Sequence, residues 1–427
     1  MLSLLLLFGV LLFLVCMGVP VFLSMAGAAV TYALVTGTVP SMILAQSLVQ
    51  GVNSYIFVAI PFFFLAGEII SRAGIGARLF KFAGTLVGHR QGGLSHVNVL
   101  TNVSFAGVSG SAVADAAAIS GIITPAMREA GYPAPYACAI TAAGATIGPI
   151  LPPSIPMLIY ALFTGASVTQ LFMSGIVPAF LMAGGLIVLG AFIASRRGFP
   201  TGPRASWGDV RTAAVSASLG LAMPVIVVAG LRLGLATATE IGALLVLYAS
   251  IIGLFFYRSV GVSDLWQCLV EAARASAGLL VIVASAGSFV WILATAGLGQ
   301  AVADFIVAQD LNAQLLLLLV VLLTLILGMM LDPITILVLL GPLLLPTVTA
   351  VGIDVVHFGV VLILSTVIGL LTPPVGVILY LVSAQAGVSP VAVMREMAPM
   401  LAVLISVLLL VALFPLFSVG FAQWVIG

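Results

Sequence analysis

Apolar residues along this chain run on without alternation, in stretches of roughly twenty, the length that carries a helix across a bilayer core. LLLLLVVLLTLILGMML at 315–331 is one such run. A membrane β-barrel would instead show alternating segments of about ten residues. The pattern predicts an all-α polytopic membrane protein with about ten transmembrane helices and two re-entrant helical hairpins. Helices are expected near 2–24, 27–48, 53–71, 174–195, 211–231, 236–256, 275–295 and 399–423. The first 24 residues lack a basic leader region, so a retained membrane helix is expected there rather than a cleaved signal.

Four segments depart from simple spanning helices. GATIGPILPPSIPM at 144–157 and STVIGLLTPPVGVI at 365–378 each place a Gly, then a Pro-Pro pair four residues later, within apolar sequence. Proline removes a backbone donor and breaks the helical ladder. The segments 133–165 and 355–387 are therefore expected to be broken helices. Ahead of each lies a long segment with a turn composition at its centre, Gly107-Val108-Ser109-Gly110-Ser111 in one and Gly328 to Pro333 in the other. These predict hairpins at about 91–127 and 312–349.

The halves repeat one another. At a shift of 221 residues, 107–153 lies on 328–374 without a gap, with identities at Gly107/Gly328, Pro125/Pro346, Gly131/Gly352, Ile147/Ile368, Gly148/Gly369, Pro152/Pro373 and Pro153/Pro374. Six of these seven are Gly or Pro, which record backbone path. SRAGIGARL at 71–79 resembles ATAGLGQAV at 294–302, at a shift of 223. Two repeats are expected, 1–195 and 211–427, joined by a polar loop at 196–210.

Charge sets the expected threading. Only 6% of residues are charged and the net charge is +1, far too little for a water-facing surface and no signal for nucleic acid. Basic residues collect on the cytoplasmic side. Arg72, Arg78, Lys81, Arg90, Arg128, Arg196, Arg197, Arg204, Arg211, Arg258, Arg274 and Arg395 share that side under one threading, which flanks the second hairpin with Asp304, Asp310 and Asp354 outside. Equivalent segments then run in opposite directions, an inverted-topology repeat, with both termini outside. Arg232, at an outer helix end, disagrees. Cys16, Cys138 and Cys268 lie far apart in apolar contexts and read as small buried hydrophobes.

The broken segments are the candidate chemistry. Hairpin tips and unwound loops leave backbone groups unpaired, at several kcal/mol each in lipid unless protein or a polar cavity answers them. Together they would present carbonyl oxygens with Ser109, Ser111 and Asp115 in one half, and Asp332, Thr335 and Thr372 in the other. Such hard oxygen donors suit Na⁺ or another hard cation. Half-helix N-termini at Ser111 and Pro333 would suit a substrate carboxylate. Intramembrane acids are functional candidates by default; the alternative for Asp115 is a helix cap or a polar contact in the bundle. His96 and His357 fall near segment ends, and the role of Glu240 is open.

Other classes fit less well. GxSG at 107–110 suggests an intramembrane serine protease, but the only plausible base, His357, is placed about half a bilayer away. The single lysine, Lys81, is followed by Phe, so there is no nucleotide P-loop. An ion channel stays open, as does a stand-alone sodium- or proton-coupled anion symporter. No enzyme activity is expected.

The run FAGVSGSAVADAAAISGIITPAMREAGYPAPYACAITAAGATIGPILPPSIPMLIYA at 105–161 closely resembles the large membrane subunit of TRAP (tripartite ATP-independent periplasmic) transporters. LATATEIGALLVLYA at 235–249 and LDPITILVLLGPLLLP at 331–346 are similar to that family too, although Ala238 stands where the family more often has Pro. The resemblance spans essentially the whole chain. It implies an elevator-type, sodium-coupled importer of organic acids such as C4-dicarboxylates, keto acids, sugar acids or sialic acid, in a bacterial or archaeal inner membrane. Its implied partners are a small four-helix membrane subunit and a periplasmic substrate-binding protein, with two or more Na⁺ ions and no organic cofactor. One sodium site would fall on Ser109, Ser111, Asp115, Gly148, Leu151 and Pro153. The other would fall on Gly328, Asp332, Gly369, Thr372 and Val375. Substrate would lie between the tips, against Ser111, Ser154, Asp332 and Pro333.

Overall fold

A computed structural model describes residues 2–309 and 311–426. Asp310 and the terminal residues Met1 and Gly427 lie outside the described residues. The first half contains helices α1 (Leu2–Cys16), α2 (Val21–Thr36), α3 (Ser41–Val52), α4 (Ala59–Arg72), α5 (Ile75–Val87), α6 (Gly93–Ser109), α7 (Ala112–Glu129), α8 (Ala134–Ala145), α9 (Ile155–Thr164) and α10 (Val168–Arg197). The second contains α11 (Trp207–Arg232), α12 (Ala238–Ile251), α13 (Val262–Thr295), α14 (Leu298–Ala308), α15 (Ala313–Gly328), α16 (Pro333–Ala350), α17 (Val355–Gly369), α18 (Val377–Ala386), α19 (Pro390–Leu413) and α20 (Val419–Ile426). Among the described residues the only β pairing is one bridge, Gln91 with Thr201. Among the described residues, seven helical segments are long and apolar enough to span a membrane. Large apolar side chains such as Leu34, Leu235, Val262 and Trp424 lie on the outside, as a lipid-facing surface allows.

Both hairpins and both broken helices are present. Helices α6 and α7 fold back on each other around Gly110 and Ser111, and α15 and α16 around residues 329–332. The Pro-Pro pairs sit between α8 and α9 and between α17 and α18, each with a cis Pro-Pro bond. Matched glycines take matched conformations. Gly74 and Gly297 have φ of +70° and +68° and start α5 and α14, and Gly131 and Gly352 have φ of +87° and +78° just after α7 and α16. Such angles exclude most side chains.

Each half completes the other. Helix α9 packs on α16 of the second hairpin, and α18 packs on α7 of the first. Tyr160 on α9 donates its hydroxyl to the Val355 carbonyl at 2.7 Å and lies flat against Gly359 of α17, where a Cβ would collide with its ring. Arg128 at the end of α7 donates to the Ala386 carbonyl at 3.4 Å, and Arg197 of α10 forms a forked pair with Glu396 of α19 at 2.8 and 2.9 Å. A second set of contacts joins α2, α3 and α4 to α13, and α4 to α12.

Three expectations need correction. Residues 2–24 and 27–48 form three short helices rather than two long ones. The chain turns at Gly18 (φ +79°) before Pro20 and at Gly37 (φ +63°) before Pro40, and each proline sits immediately ahead of the next helix. Residues 75–87, expected only to flank the first hairpin, form the amphipathic helix α5, with Ile75, Leu79 and Ala83 buried along one stripe. Cys16 is exposed, unlike Cys138 and Cys268.

Candidate functional site

The two hairpin tips and the two broken loops converge. A cavity of about 130 Å³ is lined by Gly110 to Val113 from the first tip, Pro149, Ile155 and Pro156 from the first loop, Asp332 to Ile334 from the second tip, and Leu370 from the second loop, with Phe64 of α4 alongside. Phe64 and Ser111 also line a neighbouring cavity of about 370 Å³, between α4 and the first hairpin, which includes Ser109 and Glu68. Ser111 therefore stands on the wall common to both spaces.

The tips share a design with different chemistry. Ser111 and Asp332 stand at equivalent positions, and each caps the helix that follows. The Ser111 hydroxyl accepts the Ala114 N–H at 3.4 Å. The Asp332 carboxylate accepts the Thr335 N–H at 3.0 Å and also the Thr335 hydroxyl. Side-chain capping answers one of the donors a helix start leaves unpaired, and the others stay available to an anion. The Ser109 hydroxyl accepts the Ser111 N–H at 3.3 Å, closing the first tip around Gly110 (φ +65°). Gly110 presses on the Pro153 carbonyl so closely that a Cβ would collide with it.

Asp115, one turn into α7, is buried at 1% exposure, and neither carboxylate oxygen has a hydrogen-bond partner. One oxygen lies directly over Gly148, where a Cβ would clash with it. The carbonyls of Gly148, Leu151 and Pro153 accept no hydrogen bond among the described residues. An unpartnered buried carboxylate beside unused carbonyls is costly unless a cation or a proton answers it. The donor set is all oxygen and fits a hard monovalent ion; no cluster of three His, Cys, Asp or Glu side chains occurs among the described residues.

The second set is arranged differently. Gly328 and Gly369 cross at backbone contact, and a Cβ on Gly369 would come 2.7 Å from the Gly328 Cα. The carbonyls of Gly328, Thr372 and Val375 accept no hydrogen bond among the described residues, while Gly369 accepts the Thr372 N–H at 2.9 Å. Gly376 N–H donates to the Met329 carbonyl at 3.2 Å, tying this loop to its own tip.

Some expected residues lie elsewhere. Ser154 is fully buried; its hydroxyl donates to the Pro149 carbonyl and accepts the Met157 N–H at 3.3 Å, so it braces the first loop and does not line the central cavity. Leu151 faces a separate groove toward α11. The role left open for Glu240 is structural: its carboxylate accepts the Thr237 N–H at 2.7 Å and hydroxyl at 2.8 Å in a capping box. The His357 ring bonds Ser418 at 2.6 Å. Sequence reasoning passed over Asn98, Asn102 and Thr141. Asn98 donates to Thr141 at 2.7 Å, Asn102 donates to Asn98 at 2.8 Å, and Asn102 presses on Gly144 just ahead of the first loop. Two amides four residues apart in an apolar hairpin were the available signal.

Comparisons with known proteins agree with this architecture. The family model described as "Tripartite ATP-independent periplasmic transporter, DctM component" matches residues 8–417. The sialic acid TRAP transporter large permease protein of Vibrio cholerae is 38% identical over 96% of both chains. The 2,3-diketo-L-gulonate TRAP transporter large permease protein of Escherichia coli is 36% identical over 98% of this chain and 100% of its own. The C4-dicarboxylate TRAP transporter large permease protein of Pseudomonas aeruginosa is 34% identical over 89% of both. Among solved structures, the YdaH transporter of Alcanivorax borkumensis shares the fold at a TM-score of 0.59 and 18% identity, covering 89% of this chain and 87% of its own. Continuous similarity to large permease proteins, over a fold of paired hairpins and broken helices, shows that the chain belongs to the DctM family, the large permease component of TRAP transporters.

Proposed function

We propose that this permease imports an organic acid together with Na⁺ by an elevator movement, in a bacterial inner membrane. Its partners are a substrate-binding protein outside and a small membrane subunit. The relatives named for sialic acid, diketogulonate and C4-dicarboxylates have carboxylate substrates in common, so the class proposed is a small carboxylate.

The observation that carries the sodium reading is the unpartnered Asp115 carboxylate over Gly148. One ion binds between Asp115, the Ser109–Ser111 tip and the carbonyls of Gly148, Leu151 and Pro153. A second binds the carbonyls of Gly328, Gly369 and Val375 and the carbonyl and hydroxyl of Thr372, with Asp332 holding the tip in shape. Cation binding draws each tip onto its loop. The substrate carboxylate takes the N-terminal N–H groups of α7 and α16, where the helix dipoles favour negative charge. Substrate contacts run through Ser111 and Pro333. The body of the acid extends into the 370 Å³ space beside Ser111.

The halves lie inverted in the membrane, with both termini outside. The hairpins, the broken helices, α10 and α19 move as one unit against α2–α4 and α11–α13. Helices α5 and α14 link the two groups. A reversible cysteine crosslink between α16 and α13, which pack together, stops uptake; full uptake in the crosslinked state rules out the sliding movement.

The direct test of the ion sites needs no known substrate. Thermal stability of the purified chain is measured in NaCl and in choline chloride at equal ionic strength. Binding to the folded state alone stabilises it by about 2.7 kcal/mol at a hundred times the dissociation constant. The expected result is a sodium-specific rise, reduced in Gly148→Leu and Thr372→Ala. A rise of equal size in both variants removes these residues from the sites.

A further inference from the structure

A cavity larger than the one between the tips lies to one side of it. A groove of about 490 Å³ opens between α11 and the first hairpin, walled by Val225, Val228 and Ala229 of α11 on one side and by Gly107, Leu151 and Pro152 on the other. Its walls are almost wholly apolar. Ser104, also on the wall, spends its hydroxyl on the Leu100 carbonyl at 2.8 Å. The one charged residue in the lining is Arg232, which is exposed and makes no ion pair among the described residues.

Arg232 is also the basic residue that sits at the wrong helix end. It lies 21 residues beyond Arg211 along α11, about 31 Å at 1.5 Å per residue, or one hydrocarbon thickness. It is therefore at the opposite membrane face from the arginines of the central loop. A cation at that face runs against the usual distribution of charge. Long basic side chains at helix ends reach headgroup level, and the groove runs from there toward mid-membrane depth at the Pro-Pro loop.

We propose that this groove is a specific site for one anionic phospholipid of the surrounding leaflet. Its phosphate pairs with Arg232, and an acyl chain lies between α11 and the first broken loop. Charge complementarity at one end and an unbroken apolar wall at the other match an amphiphile of that kind. No free polar group along the groove would orient a protein segment. The chain occupies the seam between α11 and the Leu151–Pro152 loop, so the lipid fills space that would otherwise change volume as those elements shift.

The test uses the full-length chain in detergent, titrated with phosphatidylglycerol or phosphatidylcholine while thermal stability and retained lipid (by native mass spectrometry) are followed. Phosphatidylglycerol is expected to raise stability and to stay bound as one copy, with phosphatidylcholine about tenfold weaker. Arg232→Gln removes the preference and Arg232→Lys keeps it. Ala229→Trp, which fills the groove and leaves Arg232 in place, abolishes retention of either lipid. Glycerol phosphate alone has no effect. The proposal is overturned if Arg232→Gln keeps the preference, if Ala229→Trp retains the lipid, if glycerol phosphate reproduces the rise, or if the wild-type chain shows no preference. Loss of co-purification with the small membrane subunit in Ala229→Trp, with no lipid preference in the wild type, would assign the groove to that subunit instead.

Discussion

The two broken loops have the same Gly-x-x-x-Pro-Pro frame and opposite surroundings. Every residue from Gly148 to Ser154 is buried, whereas Pro373, Pro374 and Val375 are exposed. The first loop is braced from within by Ser154 and closed from outside by Gly110 of its tip. The second has Val375 where the first has Ser154, and it is tied down by one backbone bond from Gly376 to Met329. Unpaired carbonyls in the first loop have no water to turn to, which is costly. The second loop is open to solvent at Pro373, Pro374 and Val375. One sequence frame is thus packed shut in one half and open to the outside in the other.

The sharpest way to break this comparison is to change one residue in each loop. Gly148→Ala puts a methyl group into the Asp115 carboxylate, which must turn away from the loop. Uptake in proteoliposomes with the partner subunits should fall on the order of a hundredfold, or ~3 kcal/mol. Val375→Ala, on the open loop, should change it by less than about threefold. Equal losses would mean that the loops are equivalent in the working protein and that the difference in burial has no consequence for transport.

The acids separate the halves next. Asp115 has no partner and Asp332 has two. Asp115→Asn removes the carboxylate proposed to hold the first ion, so the sodium-induced increment should shrink. Asp332→Ala removes a helix cap, so stability should fall by about 1 kcal/mol in both salts, with the increment retained. Thermal melts of the two variants in the two salts check both statements. The opposite assignment of increments would exchange the roles of the two acids.

Accessibility gives a third measure. With Cys16 changed to Ser, Val375→Cys should react with a soluble maleimide about tenfold faster or more than Leu151→Cys, because thiol reaction needs solvent access. Sodium should slow the first and leave the second unchanged. If both cysteines react alike, the first loop opens as readily as the second.

How much of this was legible in the chain follows from what glycine and proline encode. Gly74/Gly297, Gly131/Gly352 and the two Pro-Pro pairs were matched by sequence alone, and each pair has one backbone geometry in the fold. Those residues restrict φ, so identity at them transmits shape. The hairpins and broken helices were readable for that reason, to within a few residues. The short helices α1 to α3 were not, because a continuous apolar run hides a break until Gly18 and Gly37 are seen at positive φ. Helix α5 was missed because its apolar stripe is short and its Arg78 and Lys81 read as loop charge. Ser154 and Glu240 could not be assigned from spacing, since a hydroxyl or carboxylate looks the same whether it meets a ligand or its own backbone. The contrast in burial between the loops was invisible altogether: it arises from what packs around identical frames.

The smallest expected effect concerns how each loop is held. Ser154→Ala leaves the buried Pro149 carbonyl without its donor and the Met157 N–H without its acceptor. A lost buried hydrogen bond of this kind costs about 1–2 kcal/mol. Gly376→Ala keeps the N–H that reaches Met329 but forces an alanine to φ +48°, at about 1–2 kcal/mol. The two losses are similar in size and differ in their coupling to sodium. Ser154 holds the first loop in its binding shape whether or not an ion is there, so Ser154→Ala should lower stability and weaken sodium binding by only a few-fold, in the same proportion. Gly376 acts where the second loop meets its tip, so Gly376→Ala should leave stability in NaCl almost as low as in choline chloride, by removing the closed form that sodium favours. Melts across a sodium titration distinguish the two: parallel curves for Ser154→Ala, and a flattened curve for Gly376→Ala. A flattened curve for Ser154→Ala would show that the first loop, too, is assembled by its ion.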